Sequence, residues 1–266
     1  MLQVFWGLLA CEILNGKGRD VVEHTSLKKM RELIEKKFGQ ESSSVIVSQE
    51  HTQMISWMLH WLLVYSFTAK DLTNAGLFAT IIANTQAYGH HFLNVIQMRS
   101  QSLLRYMIAS FLLARGQPNH KYQINKNALE DLALPLALQD CQGRPDSFSS
   151  FLKAIYEDYD LDKAIESVET MTKDASDDFL LRNYIFDIKK QAYILIFQTK
   201  CKLYRTVDLE EIASHMGAKN VDSICEEVQR HLSADGFAAH AQNDDSGRGG
   251  TISCSVKRDY DSEQEL

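Results

Sequence analysis

The stretch that most constrains this chain is 178–217. Within it Leu181, Ile185, Ile188, Ala192, Leu195 and Thr199 recur at steps of four, three, four, three and four. On a helix of 3.6 residues per turn, that spacing lays one seam along a single face for about five turns. The seam ends near Tyr204, and after Thr206 and Val207 a second pattern begins: Asp208-Leu-Glu-Glu-Ile-Ala-Ser-His-Met-Gly217. Asp208 stands where an N-cap is wanted, and Leu209 and Ile212 supply an apolar side. Glu210 and Glu211 suit the positive end of a helix dipole, and Gly217 can close the helix. The spacing therefore predicts a long helix over 178–204 followed by a short capped one.

A long helix feeding a short helix, a turn and a further helix predicts stacked helices upstream and a winged helix downstream. The fold class expected is mainly α: a stacked helical-hairpin superhelix over 1–205, ending in an α+β winged-helix module over 206–256. An acidic, disordered tail is expected at 257–266. Leu181, Ile185, Ile188 and Leu195 on the seam, with Leu209 and Ile212 after it, are the structural residues of this scheme.

Taken in order, residues 4–14 predict a helix, broken at Asn15-Gly16-Lys17-Gly18. A second helix is expected over 20–38 with Leu27, Met30, Ile34 and Phe38 on one face, then a Ser- and Gln-rich loop near 39–44. Further helices are expected over 48–67, 71–86, 92–98 and 101–114. Gly116-Gln-Pro-Asn119 is the clearest break. The segment 125–139 reads as helix, ended or kinked at Pro135, and 141–146 as a linker. Phe148, Phe151, Leu152 and Ile155 mark one short helix, and Leu161, Ala164, Ile165 and Val168 the next, capped by Asp160. Together they predict a hairpin packed under the long helix. After Gly217, Asn220 can cap a helix with Val221, Ile224, Val228 and Leu232 on one face. Residues 237–241 and 250–256 then flank a Gly-rich turn, as a β-hairpin would.

Composition narrows the class. Of the 266 residues, 45% are hydrophobic, with only 3 Pro, which favours a buried helical core over disorder. Five Cys, widely spaced and without a Cys-x-x-Cys, read as reduced thiols of a cytosolic or nuclear protein. Leu8-Leu9-Ala10-Cys11 looks like a lipoprotein cleavage box but lacks a preceding Lys or Arg. The longest apolar run, 54–65, contains Ser56 and His60 and is shorter than the roughly 20 residues of a membrane helix. A soluble chain is expected.

No enzyme motif stands up. Gly16-Lys17 lacks the remainder of a phosphate loop, and the glycines at 247, 249 and 250 lie in a hairpin tip with no helix after them. His90 and His91 are adjacent and diverge by about 100° on a helix, which does not suit a shared metal. His60, between Trp57 and Trp61, reads as a core histidine bonded to backbone. The pairs Glu157/Asp158 and Asp177/Asp178 read as acids preceding helices. Asp244-Asp245-Ser-Gly lacks the spacing and closing Glu of a calcium loop. No catalytic residue, cofactor, metal or small-molecule substrate is assigned.

Winged helices often bind DNA, and here charge decides. Residues 206–256 carry three bases (Lys219, Arg230, Arg248) against nine acids, a net charge of −6, within a chain whose net charge is −7. A recognition helix bearing Asp222, Glu226 and Glu227 would be repelled by phosphate. Protein contact is the better use, with residues 250–256 presented as an edge strand for β-augmentation. The expected interface is Phe237, Thr251, Ile252, Ser253, Cys254 and Val256.

Several stretches carry a resemblance. They are Trp6-Gly7-x-Leu-Ala10-x-Glu12-Ile13-Leu14, Trp57-x-x-His60-Trp61, Leu103-Leu104-Arg105-Tyr106, residues 151–179 with Tyr156, Tyr159-Asp160-Leu-Asp162, Ala164 and Asp177-Asp178-Phe179, and residues 192–216 with Ile196-Phe197 and Ile212-Ala213-x-x-Met216. In order and spacing the chain resembles the PCI-domain family of proteasome-lid, signalosome and initiation-factor subunits. Within it the resemblance favours the branch of eukaryotic translation initiation factor three. It implies a cytoplasmic, non-catalytic scaffold that joins other PCI-type subunits of the initiation factor complex through its winged helix. It also implies service to the small ribosomal subunit, with ribosomal RNA an open question. A scaffold of the proteasome-lid or signalosome type and a winged-helix nucleic-acid binder are the alternatives. The resemblance further leads one to expect a helical arm before Phe5 and a C-terminal helix after Val256, neither of which this sequence displays.

Overall fold

The computed structural model describes residues 2–15, 32, 36, 49–68, 72–76, 78–79, 95–116, 146–204, 206–208, 221–234, 237–243 and 250–256. The described helices are α1 (Leu2–Leu14), α2 (Gln49–Thr68), α3 (Leu72–Ala75), α4 (Leu103–Arg115), α5 (Ser147–Tyr156), α6 (Leu161–Asp177), α7 (Ile185–Leu203) and α8 (Val221–Ala234), with further helical residues at 78–79 and 95–99. Three strands, β1 (Thr206–Asp208), β2 (Phe237–Asn243) and β3 (Gly250–Val256), complete a mainly helical architecture. The helix expected at 20–38 (apart from residues 32 and 36), that at 125–139, most of 71–86, the short capped helix with Leu209 and Ile212, the hairpin tip and the acidic tail lie outside the described residues.

Two helices form the centre. α4 is buried at ten of its thirteen residues, and α7 is buried at eight in succession, 191–198. They pack against each other. α7 also contacts α6, α8, β1 and β3, so neighbours surround it. Of the seam residues, Leu181, Ile188, Ala192 and Leu195 are buried, and Ile185 is partly buried against the same cluster. What the spacing underestimated is the opposite face, where Tyr193, Ile194, Ile196 and Phe197 are buried too. A helix packed on all sides loses the one-sided pattern of a surface helix.

The long helix does not open at Asp178. α6 runs on to Asp177 and Asp178 is its C-cap, with extended backbone. The Asp178 carboxylate turns back onto the next residues: Oδ1 accepts from the backbone N–H of Leu180 (2.9 Å) and Leu181 (3.3 Å). Oδ2 accepts from the Tyr106 hydroxyl at 2.7 Å. A short capped turn follows, and α7 begins only after Tyr184. Tyr184 is buried, meets Phe67 edge-on at 5.8 Å and donates its hydroxyl proton to the Phe67 carbonyl at 3.1 Å. Asp177 and Asp178 thus end a helix rather than precede one; Asp178 is offset there by the hydrogen bonds it accepts. Glu157 likewise is the C-cap of α5.

The hairpin below is as its caps dictate. Asp146 accepts from Phe148 N at 3.2 Å to start α5, and Asp160 accepts from Lys163 N at 3.0 Å to start α6. Phe148, Phe151, Leu152 and Ile155 face Ala164 and Val168 within one core, all fully buried. Arg105 of α4 ties in from the side, donating from Nε to Asp146 at 2.9 Å. Further up, buried Ser110 donates to the Ala75 carbonyl at 2.6 Å and accepts from Ala79 N at 2.9 Å, so its hydroxyl is satisfied. His60 bonds through Nδ1 to the Ser56 carbonyl at 2.6 Å, the backbone partner expected of it.

Candidate assembly interface

Beyond α7 the chain makes a small sheet covered by one helix. β3 pairs antiparallel with β2 along its whole length, from Phe237 opposite Val256 to Asn243 opposite Gly250. It also pairs with β1 on its other side, Thr206 opposite Ser253, Val207 opposite Ile252 and Asp208 opposite Thr251. The strand order is β1-β3-β2.

This corrects the expected edge. Thr251, Ile252 and Ser253 are hydrogen-bonded into a ladder on both sides, and Cys254 and Val256 pair with β2 on one. β3 is the central strand and cannot accept an added strand along its full length. The physical reason is β1, a three-residue strand that follows α7 at once and is too short to show any alternation. Of the six residues expected at the interface, Phe237 alone stands on an outer strand, β2, whose far side pairs with no described strand.

α8 covers β2 and leans on α7. Val228 and Leu232 of α8 and Val207 of β1 are buried, so the helix face read from the sequence is the packed one at those positions. The pin between α8 and α7 is Glu227. Its carboxylate accepts from Lys190 Nζ at 2.7 Å and from Gln191 Nε2 at 2.7 Å, with Arg230 Nη2 at 3.5 Å. Burial pushes the Glu227 carboxyl up, but the hydrogen bonds from Lys190 and Gln191 and the charges of Lys190 and Arg230 outweigh it and hold the pKa below the ordinary glutamate value. The end of α4 closes on the same spot. A Cβ at Gly116 would sit 2.7 Å from Gln191 Nε2, so this glycine permits a close approach as well as ending a helix.

Sequence reading counted Glu227 only as an acid hostile to phosphate. The signal it missed was Lys190-Gln191, two polar residues at the start of an otherwise apolar run, matched by a carboxylate on the next amphipathic helix. Among the described residues no group of three or more His, Cys, Asp or Glu is gathered as a metal site would require. No described helix is long and apolar enough to cross a membrane.

No protein-family model matches the chain. It is similar to the E subunit of eukaryotic translation initiation factor 3 from Cryptococcus neoformans var. neoformans, 26% identical over 216 residues, covering 81% of this chain and 44% of that protein. The same protein of Sclerotinia sclerotiorum is 27% identical over 215 residues, with 80% and 43% covered. That of the insect Anopheles gambiae is 25% identical over 224 residues, with 84% and 46% covered. The chain therefore spans under half the length of the curated relatives it matches. The similarity to the E subunit of eukaryotic translation initiation factor 3 extends over about four-fifths of this chain's own length.

Proposed function

We propose that this chain is a non-catalytic scaffold subunit of the translation initiation factor 3 complex. In this reading β1, α8, β2 and β3 are a winged helix of the PCI type, and the helices before them are stacked hairpins that hold it rigid. The observation that carries the proposal is the combination of this similarity with a small sheet anchored on a helix buried over 191–198, its β2 edge paired with no described strand. Other PCI-type subunits are the partners, met by strand addition on β2 rather than β3. Assembly with them supports placement of the complex on the small ribosomal subunit in the cytoplasm, and no reaction is assigned to the chain.

The test is a proline scan, one position at a time, from Ala238 to Gln242. Along a strand, successive N–H groups point alternately toward and away from the neighbour. Proline at positions whose N–H faces away from β3 is expected to abolish co-purification of partner subunits while helical circular dichroism and Tm hold. Proline at the alternate positions removes a bond to β3 and lowers both. Unchanged partner recovery at every position would defeat the proposal.

A further inference from the structure

A concave site lies where the turn between α5 and α6 meets the end of α7. The cavity is about 480 Å³ and is lined from both sides, by residues 158–162 and Ile165 on one and by Tyr193, Ile196, Lys200, Leu203 and Tyr204 on the other. Its floor is aliphatic, with Leu161, Ile165 and Ile196 in the lining. At its mouth stand two largely exposed rings, Tyr159 at 61% and Tyr204 at 57%. Tyr159 has φ 52°, a left-handed conformation that a bulky residue adopts at a cost, and the turn nevertheless places a ring there.

The charge of the lining is lopsided. Asp158, Asp160 and Asp162 face a single lining cation, Lys200. Lys163 adds a second cation nearby, held on Asp158 at 2.7 Å, and Asp160 spends one oxygen on its cap. Asp162, in the first turn of α6, is exposed. The carbonyl end of α7 adds partial negative charge from one wall and the N–H end of α6 partial positive charge from the other, so the side chains decide the sign. An anion, and RNA phosphate in particular, is disfavoured by this balance.

We propose that this cavity receives an arginine side chain from a protein partner. The aliphatic floor suits the arginine stem, a tyrosine face suits stacking by the planar guanidinium, and carboxylates at the rim suit its fork of donors. The volume leaves room for residues flanking the arginine. The site is separate from the β2 edge and does not rest on strand addition there.

The full 266-residue chain, with its tyrosine rings isotopically labelled, is titrated with three probes: a capped Gly-Gly-Arg-Gly-Gly peptide, its citrulline counterpart and a uridine hexanucleotide. The expected result is saturable shifts of the Tyr159 and Tyr204 ring signals with the arginine peptide. The citrulline peptide, equal in shape but uncharged, should bind roughly tenfold more weakly, and the oligonucleotide should leave both signals in place. Tyr159→Gly relieves the left-handed strain, so it should keep or raise Tm while weakening the peptide several-fold. Asp162→Lys should weaken it as well. Equal binding of the citrulline peptide, no saturation, a response to the oligonucleotide, or full affinity in Tyr159→Gly would each overturn the assignment.

Discussion

Two faces of α7 are held in different ways. Toward α4 and α6 the contact is mainly interlocked apolar side chains, Val168 and Ile188 among them fully buried, while a polar link such as Lys189 with Glu169 stands at the exposed rim. Toward α8 the contact includes a charged pin, Glu227 with Lys190 and Gln191, beside a smaller apolar patch of Val228 and Leu232. Apolar packing tolerates no charge but is indifferent to pH, whereas a paired carboxylate answers to both pH and the loss of either partner. The comparison assigns stability to the first contact and placement of the sheet to the second.

The harshest way to break the comparison is Ile188→Asp. A fully buried Ile contributes roughly 1.5–3 kcal/mol, and an unpaired carboxylate in its place adds a desolvation cost. A loss of about 4 kcal/mol or more is expected, read as a Tm lower by roughly 10 °C in a chain of this size. An unchanged Tm would show that α7 is not the centre of the core.

Glu227→Ala comes next. It strands the Lys190 ammonium and the Gln191 amide, and about 1–3 kcal/mol should be lost, with faster proteolysis after 220. Glu227→Leu joined to Lys190→Met removes both charges and should recover much of it, which a double-mutant cycle resolves. The folded pKa of Glu227 lies below its ordinary value of 4.5. Its stabilisation is therefore present above that value and lost as pH falls through the folded one. Glu227→Gln should remove that part of the acid dependence while leaving the core's response to heat.

Asp160→Ala removes the α6 cap and should cost about 1 kcal/mol, read by denaturant midpoint. Gly116→Ala should be the mildest, under about 1 kcal/mol: its backbone is ordinary, and the new methyl must displace only the tip of Gln191. Because that tip is bonded to Glu227, the effect should shrink in the Glu227→Ala background. Simple additivity there would separate Gly116 from the pin.

Legibility in the sequence followed the range of each interaction. Asp160 caps its helix three residues on, and the Phe148–Ile155 and Ala164–Val168 faces repeat within a helix, so local spacing exposed both. Asp178 misled because the seam spacing from Leu181 to Ile185 continues through the turn, and one of its carboxylate's partners, Tyr106, lies 72 residues away. β3 alternates well, and that pattern is the same for an edge strand and a central one. Its central position depends on Thr206–Asp208, more than forty residues upstream. The Glu227 pin joins residues 36 apart on separate helices and leaves no periodic trace.

Hydrogen exchange on the free chain and on the assembled complex reads which strand is the open edge. In the free chain the amides of Thr251–Ser253 should already be protected, and alternate amides of β2 should exchange fast. On assembly those β2 amides should become protected while Thr251–Ser253 change little. Protection that arises in β3 only on assembly, with β2 unaltered, would contradict the account.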